Sequence, residues 1–186
     1  MHDDVAPITG SAGEPVHVRD LVDRDLAPLL TIHNDAILTT TAIWDETPVD
    51  LADRQQWVQA RRQAGFPILV CESRGELAGY ASFGDFRARS GYRLTVEHSV
   101  YVADGYRRQG IARRLLAALI ERARALGKHA MIGGIEAGNA ASLALHAEMG
   151  FEVCGTLPQV GAKFGRWLDL VYVQYLLDRA SQPPRT

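Results

Sequence analysis

TVEHSVYVADGYRRQGIARRLLAALIERARALG, residues 95–127, is the stretch whose reading decides the fold. Its opening eight residues place Val, Tyr and Thr in partial alternation, which predicts a strand over 95–102. Asp104-Gly105 breaks that pattern, and a basic turn follows, Tyr106-Arg107-Arg108-Gln109-Gly110. Ile111, Leu115, Leu119 and Ala123 then recur at every fourth position, with Leu116, Ile120 and Leu126 widening the stripe. This spacing predicts a helix with one buried face, stopped at Gly127. The first amides of a helix have no partner inside it, and the helix dipole places positive charge at the same end. Gly110 lets a ligand approach the main chain, and Arg107, Arg108 and Arg113 add charge around it. The strand, turn and helix together predict an anion site that a pyrophosphate would fit. The turn carries neither G-x-x-x-x-G-K-[ST] nor G-x-G-x-x-G.

The whole chain of 186 residues suits one domain with a sizeable core. A net charge of −2 argues against a general binder of nucleic acid or anionic membrane. No apolar run is long enough to span a bilayer, and the acidic N-terminus lacks the apolar segment of a signal peptide. Cys71 and Cys154 sit inside apolar runs without metal-like spacing, so both are expected to be reduced core thiols of a cytoplasmic protein with no metal site.

Residues 1–14, rich in Gly, Ser, Pro and Asp, are expected to form a disordered tail, 15–178 a single domain, and 179–186 a frayed end. A short strand is expected over 16–21, and Asp23-Arg24-Asp25 opens a helix reaching about residue 37. Thr39-Thr40-Thr41 ends it, and Asp50 caps a second helix that Gly65 and Pro67 close. Strands over 66–72 and 76–83 are joined at Ser73-Arg74-Gly75, a hairpin signal. A polar, basic segment spans 84–93. Beyond the central strand and helix come a buried strand over 130–136 and a helix over 139–149. Two closing strands, 151–156 and 168–177, are expected on either side of a loop containing Gly161, Lys163, Phe164 and Trp167. This order is that of an α/β protein with a mixed central sheet.

Within the basic turn, Arg107 through Gly110 to Ala112 reads R-x-x-G-x-A. It resembles the [QR]-x-x-G-x-[GA] acetyl-coenzyme A loop of the GNAT superfamily of N-acetyltransferases, and the order of elements is similar to theirs. The resemblance implies a three-layer α+β sandwich whose fourth and fifth strands splay apart, with acetyl-CoA entering the gap. It also assigns the co-substrate to Val100, Tyr101, Val102, Arg107, Arg108, Gln109, Gly110, Ile111, Ala112, Arg113 and Asn139.

An amine attacks a thioester only when neutral, so a base beside it speeds the reaction. Glu97, in the central strand among apolar residues that could raise its pKa, is the candidate; the alternative is a strand-end carboxylate facing water. A main-chain amide near Val100 could stabilise an oxyanion. Many members of the superfamily carry a tyrosine general acid in a pattern like N-x-x-[AS]-x-x-L-Y. Here Asn139-Ala140-Ala141-Ser142-Leu143-Ala144-Leu145-His146 puts His146 in its place, either as a proton donor or as a residue that only packs and hydrogen-bonds. Asn139 is placed to cap this helix. His98 is expected on the opposite strand face from Glu97 and is given no role.

Residues 39–48, 97–102 and 161–169 resemble one branch closely, the phosphinothricin and methionine sulfoximine/sulfone N-acetyltransferases, and the likeness runs over about 16–177. It implies a small L-amino acid or analogue as acceptor and a homodimer; direct transfer in a ternary complex is expected because no nucleophile with a partnered base suggests a covalent acyl-enzyme. Arg87, Arg89, Ser90, Gly91 and Tyr92 would hold the acceptor's carboxylate end, a guanidinium gripping it with two hydrogen bonds; a solvated loop face is the alternative. Trp44 and Phe164 would wall its side-chain pocket or else pack in the core. Two other functions compete: the same fold acting on another amine, such as a protein N-terminus or a polyamine, and a non-catalytic acyl-CoA sensor.

Overall fold

Ile68, Leu69, Val70 and Cys71 are consecutive and all buried, so their strand needs cover on both faces. The computed structural model, which describes residues 16–180 and 182–183, supplies it. The expected tail over 1–14, and residues 181 and 184–186, lie outside the described residues. The strands are β1 (His17–Asp20), β2 (Ile68–Ser73), β3 (Glu76–Asp85), β4 (Thr95–Val102), β5 (Ala130–Glu136), β6 (Glu152–Lys163) and β7 (Arg166–Leu176), in the sheet order β1-β2-β3-β4-β5-β7-β6. The helices are α1 (Leu26–Thr39), α2 (Leu51–Gln63), α3 (Ile111–Ala125) and α4 (Ala140–Glu148). Asp50 caps α2 by accepting the Asp53 N–H at 2.8 Å, as its position predicts.

The period of two along the strands sorts the two faces. Leu69, Cys71, Ala81, Phe83, Val96, Met131 and Val173 meet Ile111, Leu115, Leu116, Leu119, Ile120 and Ala123 of α3. Each Leu, Ile, Val, Phe and Met among them contributes roughly 1.5–3 kcal/mol on burial, so this stripe fixes α3 to the sheet. Ile68, Val70 and Tyr80 meet Leu29 and Ile32 of α1 and Val58 of α2 on the other face. Leu126, expected in the α3 stripe, is instead 47% exposed at the helix end.

Every strand pairing is antiparallel except that of β4 with β5. Those two pair over only three positions, Thr95↔Ala130, Val96↔Met131 and Glu97↔Ile132. Beyond Glu97 they part, and residues 98–102 keep β3 as their neighbour but have no strand on the other side. The expected splay is therefore present, and it begins at the candidate base.

Two expectations are corrected. The loop expected between the closing strands is not a loop: β6 runs to Lys163, and the hairpin turns at Phe164-Gly165. Pro158 and Gly161, inside the expected loop, mark a bulge in which residues 158–160 oppose the single residue Asp169. Asp169 holds the bulge by accepting the Gln159 N–H at 2.7 Å, and Gln159 takes φ +54°. Cys154 is exposed on β6 rather than buried, because β6 is the sheet edge and no layer covers it there; Cys71 is in the core as expected.

Candidate active site

The gap between β4 and β5 opens into a cleft of about 1720 Å³ that runs past the N-terminus of α3 and under the loop joining α1 to α2. At one end lie residues 104–113, including Arg107, Arg108, Gln109, Gly110, Ile111, Ala112 and Arg113. Gly110 has φ +78°, which glycine adopts without strain, and no side chain caps the helix it starts. The first turn of α3 thus faces the cleft with its anion-binding groups uncovered. Arg107 pairs with Asp104 at 3.0 Å and Arg113 with Glu148. Asn139 also lines the cleft, and its side chain caps α4 by accepting the Ser142 N–H at 3.1 Å.

Glu97 sits at the point of divergence with its side chain on the α1/α2 face, opposite Gly84 of β3. Burial raises its pKa, and the charge of Arg87, whose Nη1 lies 3.8 Å from Oε2, opposes that rise. A carboxylate in this state is a better proton acceptor than one in water.

His98 and His146 lie on the opposite face, stacked with ring centroids 5.1 Å apart and planes 13° from parallel, and Phe151 meets both rings edge-on. His146 Nδ1 is 2.7 Å from the Ser142 carbonyl, which can only accept, so Nδ1 is the donor. Nε2 is therefore left with a lone pair, buried and without a partner, on a residue that lines the cleft. Burial lowers the pKa of His146, and the bond to Ser142 opposes this only in part. At neutral pH Nε2 carries a lone pair, not a proton. His98, expected on the face away from Glu97, is there, and burial together with His146 lowers its pKa to about 3. His33 falls to about 4, chiefly through burial and then through Arg54. The unfolded imidazoles titrate near 6.5. Between about pH 6.5 and these depressed values the unfolded chain binds more protons than the folded one, so stability is lost as pH falls through that window. A thermal-unfolding series from about pH 7 to about pH 5 is expected to show Tm falling steadily; a flat Tm would contradict neutral burial of these rings.

The other wall of the cleft is residues 39–44, and its fixings come from far along the chain. Lys163, only 1% exposed, donates from Nζ to the carbonyls of Ile37, Thr40 and Ile43, each at or under 2.8 Å. It thus satisfies the open C-terminal carbonyls of α1, a task usually left to a residue just past the helix. Thr41 donates to Glu136 at 2.9 Å, and Trp44 Nε1 donates to the Thr41 carbonyl at 3.0 Å. The Trp44 ring fills the space of a missing side chain at Gly161, where a Cβ would lie 2.1 Å from it. Phe164, half exposed at φ +52°, lines the cleft and donates its N–H to Glu46 at 3.1 Å.

The basic segment is only partly brought in. Arg87 reaches Glu97 and Tyr172, while Arg89, Ser90, Gly91 and Tyr92 are exposed and lie outside the walls of the cleft. Tyr92 packs edge-on against Phe86 instead. Among the residues of the cleft and its wall that escape the sequence reading are Arg61, Glu136 and Lys163. Lys163 stands inside a stretch that carries the family likeness, but nothing local shows where its ammonium goes.

Comparison with known proteins accords with this geometry. An L-methionine sulfoximine/L-methionine sulfone acetyltransferase of Pseudomonas paraeruginosa is 56% identical over 168 residues, covering 90% of this chain and 98% of that protein. A Salmonella typhimurium acetyltransferase structure, with its cofactor acetyl-CoA, superposes with a TM-score of 0.89 at 47% identity, over 92% of this chain and 99% of that one. A Brucella melitensis structure described as a ribosomal-protein-alanine N-acetyltransferase is 56% identical with a TM-score of 0.85, over 86% and 99% of the two chains. No helix among the described residues is long and apolar enough to cross a membrane. The acetyltransferase (GNAT) family profile matches residues 29–151, and with these relatives it shows that the chain belongs to the GNAT family of N-acetyltransferases.

Proposed function

We propose that this enzyme acetylates the α-amino group of a small L-amino acid or analogue, with methionine sulfoximine, methionine sulfone and phosphinothricin as leading acceptors. The observation that carries this reading is Glu97, a carboxylate of raised pKa at the point where the sheet opens between a cofactor-type helix end and a closed acceptor wall. The 56% identical Pseudomonas paraeruginosa relative, named for methionine sulfoximine and sulfone, supports the acceptor class.

Acetyl-CoA supplies an acetyl group already activated as a thioester. Gly110, Ile111 and Ala112 and the arginines around them suit its pyrophosphate, while Asn139 and the gap-facing side of the main chain at Val100, Tyr101 and Val102 suit its stem. Glu97 takes a proton from the substrate ammonium, directly or through water, and the freed nitrogen forms its bond to the acetyl carbon as the carbon–sulfur bond breaks, the thiolate leaving and the proton shed by the nitrogen passing to that sulfur through solvent. His146, neutral and stacked on His98, orients rather than donates. Positioning of both reactants in one cleft supplies much of the remaining rate. Cys71 and Cys154, both unpaired, fit a cytoplasmic setting.

A protein N-terminus is the second reading, favoured by the name of the Brucella melitensis structure. The acceptor wall argues for a small molecule, since Lys163, Glu136 and Trp44 fix it in place along the cleft. Thiol release from acetyl-CoA across a panel of acceptors separates the two. Turnover is expected with methionine sulfone, methionine sulfoximine and phosphinothricin, and far slower with spermidine or an alanine-ended peptide. Faster turnover on the peptide would replace the acceptor assignment.

We also propose a homodimer built on β6 and β7. Residues 152–160 of β6 are all exposed on a bare sheet edge, and Val153, Leu157, Val160 and Trp167 present apolar area there, Trp167 at 67% exposure. A long apolar edge of this kind is ordinarily covered. Sedimentation equilibrium is expected to give twice the chain mass of 20.4 kDa, falling to one chain in Trp167→Glu. A wild-type monomer would end the proposal.

A further inference from the structure

Arg61 of α2 is a cation that lines the acceptor half of the cleft with its charge unmatched. Its guanidinium makes no ion pair and no hydrogen bond with any described residue, and Nε is buried without a partner. Burial lowers its pKa, with Asp85 opposing, so the site holds a charge whose hydration has been partly removed and not replaced. The ring of Trp57 lies 5.7 Å from Cζ and fixes one side of the group. Arg61, Gly84 and Glu97 all line the cleft.

Gly84 explains where the guanidinium sits. A Cβ added at Gly84 would fall 1.5 Å from Nη1 and 2.5 Å from Cζ of Arg61. The guanidinium therefore occupies the place that a side chain of residue 84 would take. Gly84 is the direct cross-strand partner of Glu97, and opposed residues of an antiparallel pair project from the same face with Cβ atoms about 4.5–5.5 Å apart. The sheet thus carries, side by side, a carboxylate on β4 and, through the glycine gap, a guanidinium on β3. Glu97 nevertheless has Arg87 as its nearest cation, at 3.8 Å. Arg89, the other arginine of the basic segment expected to take a carboxylate, is exposed outside the cleft walls.

We infer that Arg61, seated on Gly84, takes the acceptor's α-carboxylate and so restricts the enzyme to α-amino acids. The inference rests on the amino-acid reading proposed above. An α-amino acid carries its ammonium and its carboxylate on one carbon, and the Glu97–Arg61 pair offers matching groups of opposite sign on neighbouring strands. The ammonium faces the base, the carboxylate faces the guanidinium, and the side chain is left to the wall formed by Trp44. The planar fork of arginine suits a carboxylate, and the empty side-chain position at Gly84 lets the fork lie against the sheet without crowding.

Binding calorimetry and initial rates, each with methionine sulfone and with its α-carboxamide, test this. Wild type is expected to prefer the acid by roughly 10- to 150-fold, the range for hydrogen bonds to a charged group. Arg61→Met should weaken acid binding by about that factor and leave the carboxamide within about threefold, with the KM for acetyl-CoA unchanged. Gly84→Ala should shift the preference the same way, because its methyl displaces Nη1, and Arg87→Ala should keep it. Equal loss on acid and carboxamide in Arg61→Met would reduce Arg61 to a packing residue, and loss of the preference in Arg87→Ala would move the carboxylate site there. A wild type that prefers the acid in binding but does not acetylate it would overturn the proposed reaction and leave this site standing. A wild type that acetylates both equally would overturn the site alone.

Discussion

Glu97→Gln is expected to lower kcat/KM for the amino-acid acceptor by about 100- to 1,000-fold while acetyl-CoA affinity changes little. The amide keeps the shape of the carboxylate and loses only its ability to hold a proton. Burial raises the pKa of Glu97, and Arg87 holds part of that rise back. The acidic limb of the wild-type rate profile should therefore lie above the ordinary carboxylate range, activity appearing as Glu97 ionises. In Glu97→Gln that limb should vanish, and the rate should track the free-amine fraction alone. Stability should move the other way. A carboxyl whose folded pKa exceeds its unfolded one is destabilising once ionised, so the neutral amide should raise Tm near pH 7. His146→Phe is the companion variant, expected to reduce kcat by less than about tenfold without moving the limb, since its ring presents a lone pair and not a proton at neutral pH. An unmoved limb in Glu97→Gln removes it as the base.

Lys163→Met should be the most damaging single change remote from the reacting atoms. The variant keeps the length and apolar stem of the side chain but leaves three carbonyls of residues 37, 40 and 43 without their donor. A loss of about 2–4 kcal/mol follows from hydrogen bonds to a charged group, or a Tm drop of roughly 5–15 °C for a domain of this size. The loop from Thr40 to Trp44 would keep Thr41–Glu136, the Trp44–Gly161 packing and Ile43 in the core, but lose its charged tie to β6. The KM for the acceptor should rise roughly tenfold, as for one lost charged hydrogen bond, with the KM for acetyl-CoA little changed, because the α3 end of the cleft has none of these contacts. Equal rises in both constants would mean general loosening rather than a misplaced acceptor wall. Lys163→Arg should not restore the wild-type values, since a planar five-donor head does not fit three carbonyls gathered around one nitrogen.

The cofactor half of the cleft is legible in the sequence because its determinants are local. Ile111, Leu115, Leu119 and Ala123 report the buried face of α3 by spacing alone, Gly110 marks its start, and Asn139 caps α4 as its position predicts. The acceptor half is not, because it is assembled from α2, β3, β5 and β6. Arg61 stands beside Arg62 in a helix rich in charge, and only the packing shows that one enters the cleft while the other reaches Leu21 and Asp23 at the surface. Arg89 is exposed on a turn outside the cleft walls, a placement that its sequence neighbourhood does not reveal. Pro158 and Gly161 suggest a loop because a bulge and a loop share those signals when the partner strand is unknown. Cys154 lies in an apolar run that belongs to an edge, and hydropathy cannot separate an edge from a core.

The grip of Lys163 on the end of α1 joins residues 126 positions apart, and this sets an order of assembly. The contacts of 95–146 that shape the coenzyme end close over short stretches of chain, whereas the acceptor wall must wait for the last hairpin, and long loop closures are slow. During refolding the molecule should pass through a stage competent for coenzyme but blind to its amine. Pulse-labelling exchange would then find the amides of α3 protected before those of residues 40–44, and simultaneous protection would argue for a single concerted step. An enzyme built this way gains its selectivity last, as the final two strands come home.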